Sequence, residues 1–345
     1  MRLGEAYLRQ LFALIFVLFI GASLLPALAA PSSKSKNACQ GRDLMGWLQR
    51  ADPTAAARVQ PTDSERRNDG AMLFEVSRPG VTTSYLFGTI HLTDPRVTQI
   101  PKVVAKALKS SRILALEVSE LSPSATANAV AEAQSLVVFD DGQRLDQLLS
   151  KREFAAVKKK LNQSQTPDRL ARMFKPWVIS TILAVPECER RKIAKGKQVL
   201  DMRLAEIARK SSIPVVGLET IKAQLEASAA VPIDEQLQLL RASLAYSERA
   251  ADLRETVLQL YLNRRMSYAI PLQVVLAEKA GIDGKILRNF SRVSIERRNQ
   301  RMAKRAEKLL DAGGAFIAVG GMHLPGRNGL VALFKRAGYT LLPVD

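Results

Sequence analysis

Tyr85-Leu86-Phe87-Gly88-Thr89-Ile90-His91 and Phe316-Ile317-Ala318-Val319-Gly320-Gly321-Met322-His323 carry one pattern twice: an apolar run of strand length, then a Gly three places before a His. The chain contains only these two histidines. With 19 Gly in 345 residues, two unrelated His would share that context roughly once in three hundred trials. A Gly at a strand end lets the backbone turn tightly. A His just beyond it points into the crevice outside the strand carboxyl ends, where open α/β sheets bind ligands. A lone His is more often a structural residue; the paired context reverses that reading.

Outward from these corners the chain alternates between short apolar runs and helical stretches. Ala71–Ser77 and Val81–Phe87 are β-rich and separated by Arg78-Pro79-Gly80, which predicts a hairpin. Pro101–Ser110 reads as a helix and Arg112–Val118 as a continuous apolar strand; Ile213–Gly217, Ala315–Val319 and Tyr339–Val344 have the same buried-strand look. Ser122 to about Gly196 and Pro232 to Leu310 are mainly helical, including a long run over Pro232–Asn263 that starts on proline. This order predicts an α/β fold, a central sheet flanked by helices, with large helical insertions in the middle of the chain.

Composition and the N-terminus narrow the function. A content of 47% hydrophobic and 24% charged residues excludes a disordered chain, a collagen-like repeat and a disulfide-dense miniprotein. The formal charge of +18 is the footprint of a chain that meets phosphate, anionic lipid or acidic glycan. Arg2 and Arg9 precede an uncharged run, Leu11–Ala30, that ends in Pro26 and the small-x-small step Ala27-Leu28-Ala29, so residues 1–30 read as a secretory signal peptide. Uncleaved, the same run is just long enough to anchor in a bilayer, the one membrane contact expected. Export to the periplasm or beyond removes nucleic acid as a partner. Residues 31–70 read as an irregular arm with a helical patch near Asp43–Gln49, and the folded domain is expected over 71–345. Cys39 and Cys188, the only cysteines, either form a disulfide in an oxidising compartment or remain two buried thiols.

Two further residues draw attention. Glu117 follows the apolar run Ile113-Leu114-Ala115-Leu116, where an unpaired charge is costly. It therefore takes a metal or cation, caps a neighbouring helix, or pairs with Arg112. Two imidazoles and a carboxylate form a facial set suited to Mn, Fe, Co or Zn. In the helix expected over Lys285–Asp311, Leu287, Ser291, Ile295, Arg298, Met302, Ala306 and Leu309 share one face. Arg298 on that mostly apolar face seeks a site carboxylate or a substrate oxyanion, or snorkels to solvent.

Together these pieces resemble the TraB/GumN family, which includes the PrgY and TIKI proteins. The resemblance rests on Leu86-Phe87-Gly88-Thr89-Ile90-His91-Leu92 with Asp94-Pro95-Arg96, Leu116-Glu117, Lys175-Pro176-Trp177, Gly217-Leu218-Glu219-Thr220, Arg298-Asn299, and Gly320-Gly321-Met322-His323-Leu324-Pro325-Gly326 followed by Gly329-Leu330. The stretch Pro186-Glu187-Cys188-Glu189 and Cys39 look like the secreted bacterial branch, which supports the disulfide. The resemblance implies a mixed sheet with helical insertions and a divalent-metal site on His91, His323 and Glu117, with Glu117 as ligand or general base. It further implies Arg298 as a transition-state anchor, Asp201 and Glu219 as supporting acids, and, from the TIKI branch, metal-dependent peptidase activity.

Two functions follow from this reading. The first is an exported metal-dependent hydrolase of peptide or other amide-like bonds, acting on a peptide or envelope component. The second is a non-catalytic periplasmic binding or accessory protein that uses the same crevice and its basic surface to engage an acidic polysaccharide, exopolysaccharide included, or another envelope component. An aromatic content of 6% is thin for a sugar-stacking groove.

Overall fold

In the computed structural model, which describes residues 39–120, 122–162 and 167–344, the short apolar runs become the strands of one mixed sheet. They are β1 (Leu73–Arg78), β2 (Val81–Thr89), β3 (Ile113–Leu116), β4 (Val215–Gly217), β5 (Ala315–Gly320) and β6 (Thr340–Pro343). Their order across the sheet is β4-β3-β5-β2-β1-β6. The first four run parallel, and β1 pairs antiparallel with both β2 and β6. The α/β expectation holds. β5 is buried from Ala315 to Val319, because a central parallel strand covered by helices on both faces has no polar side to alternate with.

The register sets the two Gly-x-x-His corners side by side: Gly88 lies opposite Val319 and Thr89 opposite Gly320. A Cβ at Gly88 would stand 2.5 Å from Leu324 Cδ1, 3.0 Å from Met72 Sδ and 3.2 Å from Gly321 Cα. The first corner thus needs glycine because the second packs directly on it. Leu324 and Met72 are themselves buried and have little room to yield. Gly88→Ala is expected to destabilise by about 1–3 kcal/mol through overpacking, read as a lower urea midpoint at unchanged slope.

The two helical insertions flank the sheet and together form a second core. Between β3 and β4 the chain is helical, and Val130, Phe154, Phe174, Trp177 and Ile182 build an apolar cluster with Leu225 and Leu240 from the β4–β5 connection. The long run expected over Pro232–Asn263 divides into helices Ile233–Ala245 and Ala250–Leu262. Ser247 Oγ donates to the Leu244 carbonyl at 2.8 Å, a side-chain bond that competes with the helical ladder.

The signal segment expected over residues 1–30 lies outside the described residues. In the arm, the helical patch expected near Asp43–Gln49 is the helix Leu44–Ala51, and two short helices not expected from the sequence follow it, Pro53–Ala57 and Asp63–Arg66. Asp43, Asp52 and Thr62 cap them through their side chains, and Leu44, Leu48, Ala55, Ala56 and Val59 join the core around the sheet. Caps and a few tertiary contacts suffice for helices too short to show a periodic pattern. Of the two states open to the cysteines, the structure has the disulfide: Cys39 and Cys188, 149 residues apart, have Cα atoms 5.3 Å apart. Closing that loop stabilises by about 5 kcal/mol on the chain-entropy account.

Candidate active site

The four parallel strands end at one edge of the sheet, and each brings a polar side chain there. His91 follows β2, Glu117 follows β3 directly, Glu219 follows β4, and β5 leads into the turn Gly321–His323. Gly320 marks where three of them converge. A Cβ at that position would stand 3.2 Å from Glu117 Oε1, 3.6 Å from His323 Cδ2 and 4.0 Å from His91 Nε2. His91, His323 and Glu117 therefore surround one small cradle, which a methyl group would fill.

Each imidazole is held from behind. His91 Nδ1 lies 2.9 Å from Asp201 Oδ2, while Asp201 Oδ1 accepts the Thr89 hydroxyl at 2.7 Å. The Asp201 charge raises the His91 pKa above its ordinary value, tempered by solvent because the ring is more than half exposed. His323 is buried, with Nδ1 2.6 Å from Asn299 Oδ1. Asn299 Nδ2 donates to the Asn328 carbonyl at 2.8 Å, so Asn299 offers His323 an acceptor. Nδ1 of His323 must then carry the hydrogen, and Nε2 keeps a bare lone pair. Burial lowers the His323 pKa to about 4 despite the opposing pull of Glu117, which keeps the ring neutral.

Glu117 has one lone pair to spare. Its Oε2 accepts from Arg298 Nη2 at 2.6 Å and from Gln224 Nε2 at 3.1 Å; its Oε1 accepts the Gly320 N–H at 2.7 Å. Oε1 lies 3.8 Å from His323 Nε2, and since both atoms are acceptors no hydrogen bond joins them. Burial pushes the Glu117 pKa up, but the Arg298 charge, with His91 and the Gly320 N–H, holds it well below the usual carboxylate range.

Of the partners open to Arg298 in the sequence, the structure supplies site carboxylates. Its Nε donates to Glu219 Oε2 at 2.8 Å while Nη2 reaches Glu117. Arg112 is engaged elsewhere, donating to the Gly313 carbonyl at 2.6 Å. The helix that carries Arg298 is not regular: Arg292–Glu296 forms a π turn between Gly284–Ser291 and Arg297–Asp311. The turn changes the helical phase ahead of Arg298 and Asn299. These consecutive residues both reach the site, Arg298 to Glu117 and Asn299 to His323. Gln224 is the site residue that sequence reasoning missed. It sits on the Ile221–Ala229 helix, with no local signal to set it apart.

Among the described residues, no group of three or more His, Cys, Asp or Glu stands ready as a metal-ligand cluster. The donor chemistry nonetheless fits a divalent ion: two imidazoles whose Nδ1 atoms are tied to Asp201 and Asn299, leaving Nε2 free, and one uncommitted carboxylate lone pair. Metal-binding histidines are commonly oriented in this way by groups on their second nitrogen.

The sequence is similar to those of known proteins. The chain is 26% identical over 305 residues to metalloprotease TIKI1 of Xenopus tropicalis, covering 75% of this chain and 59% of that one. It is 24% identical over 343 residues to metalloprotease TIKI1 of Homo sapiens, covering 84% and 65%. The chain thus spans about three fifths of the length of the curated relatives it matches. The model of the TraB/PrgY/gumN family matches residues 72–343, from the first strand of the sheet to the last, and on that match the chain belongs to the TraB/PrgY/gumN family.

Proposed function

We propose that this protein is an exported, divalent-metal-dependent hydrolase of peptide or other amide-like bonds. The observation that carries the reading is the pair of tethered imidazoles, His91 on Asp201 and His323 on Asn299, gathered with Glu117 around the Gly320 cradle. His91 and His323 would hold the ion through Nε2, and Glu117 either joins them or serves as the base. Such an ion supplies Lewis acidity toward a carbonyl and toward water. Glu117, kept ionised by Arg298, is able to accept a proton from water through the free pair on Oε1. Arg298 acts here as a positioning residue, because its Nε and Nη2 are already engaged by Glu219 and Glu117. The name metalloprotease borne by the TIKI1 relatives agrees with this chemistry. Export is supported by the basic, then apolar N-terminus and by the Cys39–Cys188 disulfide, a bond characteristic of oxidising compartments.

Elemental analysis tests the core of the reading. The purified protein, reloaded with Mn, Co or Zn, is expected to carry close to one ion per chain. A His91→Ala/His323→Ala double variant with an unchanged far-UV spectrum should carry none. An ion-free wild-type chain after reloading would overturn the proposal.

A further inference from the structure

We propose that the Cys39–Cys188 disulfide, together with the buried Glu189–Arg254 pair beside it, is a positioning device for His91. The observations form a continuous chain of contacts. Cys188 and Glu189 are neighbours on the Glu187–Ala194 helix. Glu189 Oε2 accepts from the Thr93 backbone N–H at 3.3 Å and from its hydroxyl at 2.5 Å. Thr93 is two residues past His91, in the loop leaving β2. Glu189 Oε1 accepts from Arg254 Nε at 2.6 Å, and Arg254 Nη2 donates to Asp94 at 2.8 Å. The loop after His91 is thereby tied at consecutive residues to a buried ion network. Thr93 and Asp94 are each 7% exposed, Glu189 1% and Arg254 5%, so solvent cannot readily replace these contacts.

The N-terminal arm closes the network from outside. Beyond Cys39 it lies flush on the Ala250–Leu262 helix that carries Arg254. A Cβ at Gly41 would stand 1.9 Å from the Ala251 carbonyl oxygen. The Arg42 N–H donates to Asp252 at 2.8 Å and the Leu44 N–H to Thr256 Oγ1 at 2.7 Å. One end of the arm is thus bonded covalently to the helix of Glu189, and the next residues are hydrogen-bonded to the helix of Arg254. The arm spans the two helices whose side chains meet behind the His91 loop. His323 has no share in this device, since its Nδ1 is held by Asn299 on a different helix. The consequence for catalysis rests on the metallohydrolase reading; the positioning of the ring does not.

The test uses the full metal-free chain labelled with [13Cε1]histidine, whose two ring signals are assigned with His91→Ala. Cys39→Ser/Cys188→Ser and, separately, Thr93→Val are expected to shift and broaden the His91 signal while leaving that of His323 in place. Combining them should add nothing beyond the larger single effect, because both act through one link. Cobalt titration should show about a tenfold loss of affinity in each, the scale seen when support behind a ligating His is removed. An unmoved His91 signal in either variant would overturn the proposal, as would equal movement of His323 or simple addition of the two effects. Thr93→Val removes a single hydroxyl and remains decisive if the cysteine variant fails to fold. A wild-type chain that takes up none of Mn, Co or Zn but passes the ring test would sink the metallohydrolase reading and leave the positioning device standing.

Discussion

Replacing Arg298 with methionine is expected to lower the unfolding free energy by about 3–5 kcal/mol, the range for removing one partner of a buried ion pair. Arg298 lies between Glu117 and Glu219, both buried carboxylates. In the variant Glu219 retains Arg301 at 3.2 Å, whereas Glu117 keeps only neutral donors, the Gly320 N–H and the Gln224 amide. Methionine matches much of the volume, so the loss is electrostatic and no large cavity opens. Lysine should recover only part of it, because a single ammonium lacks the planar fork that reaches two carboxylates. The pH dependence has a definite sign. In the wild type Glu117 is held below the usual carboxylate range, so its contribution is present above the ordinary carboxylate pKa of about 4 and is lost as pH falls through the folded value. In the variant the largest charge opposing burial is gone, so the carboxylate titrates higher in the folded state than in the wild type. The gap between variant and wild type should therefore narrow on acidification. Urea unfolding at pH 7 and pH 4 checks both statements; an unchanged midpoint at pH 7 would mean that Arg298 does not hold the site together.

On the proposed hydrolase reading, Glu117→Gln is expected to reduce hydrolysis by about 10²–10⁴-fold, the usual contribution of a positioned base, while the chain stays folded. The amide keeps the shape of the carboxylate and an oxygen for the Gly320 N–H. Arg298 remains paired with Glu219. The donors of Arg298 and Gln224 lose one acceptor, a cost of about 1–3 kcal/mol. Ion content then separates the roles left open for this residue. A variant that keeps its ion but not its activity identifies Glu117 as the base; one that loses both identifies it as a ligand. Initial rates on a peptide library, with elemental analysis of the same samples, give both numbers. Wild-type rates in the variant would remove Glu117 from the mechanism.

The central strands were legible because their burial leaves a local trace, whereas the edge strands β4 and β6 keep much of their length exposed. Ala315–Val319 is apolar at every position, as a parallel strand covered on both faces must be. Gly88 was legible as half of a repeated corner, and the packing of Gly321 and Leu324 upon it explains why the repeat needs glycine. In the N-terminal arm the patch near Asp43–Gln49 was legible and became the helix Leu44–Ala51, whereas the helices Pro53–Ala57 and Asp63–Arg66 were missed because four or five residues are too few for a periodic pattern to outweigh Pro, Ala and charge. The helix carrying Arg298 was placed correctly, but a regular period cannot foresee the π turn that lets Arg298 and Asn299 serve the site together.

From the order of residues alone come the strands, the two corners and the types of side chain delivered to the sheet edge: His91, His323 and Glu117. Each is a local property, written in apolar run length, in a Gly three places before a His, and in a charge after a buried run. Tertiary structure decides what those groups can do. The proton on His323 is assigned by Asn299, the spare lone pair of Glu117 by Arg298, Gln224 and the Gly320 N–H, and the orientation of His91 by Asp201. These partners lie between 24 and 203 residues away along the chain. A hydrogen bond between such distant positions constrains no neighbouring residue, so it leaves no period or spacing to read, and only the folded geometry records it.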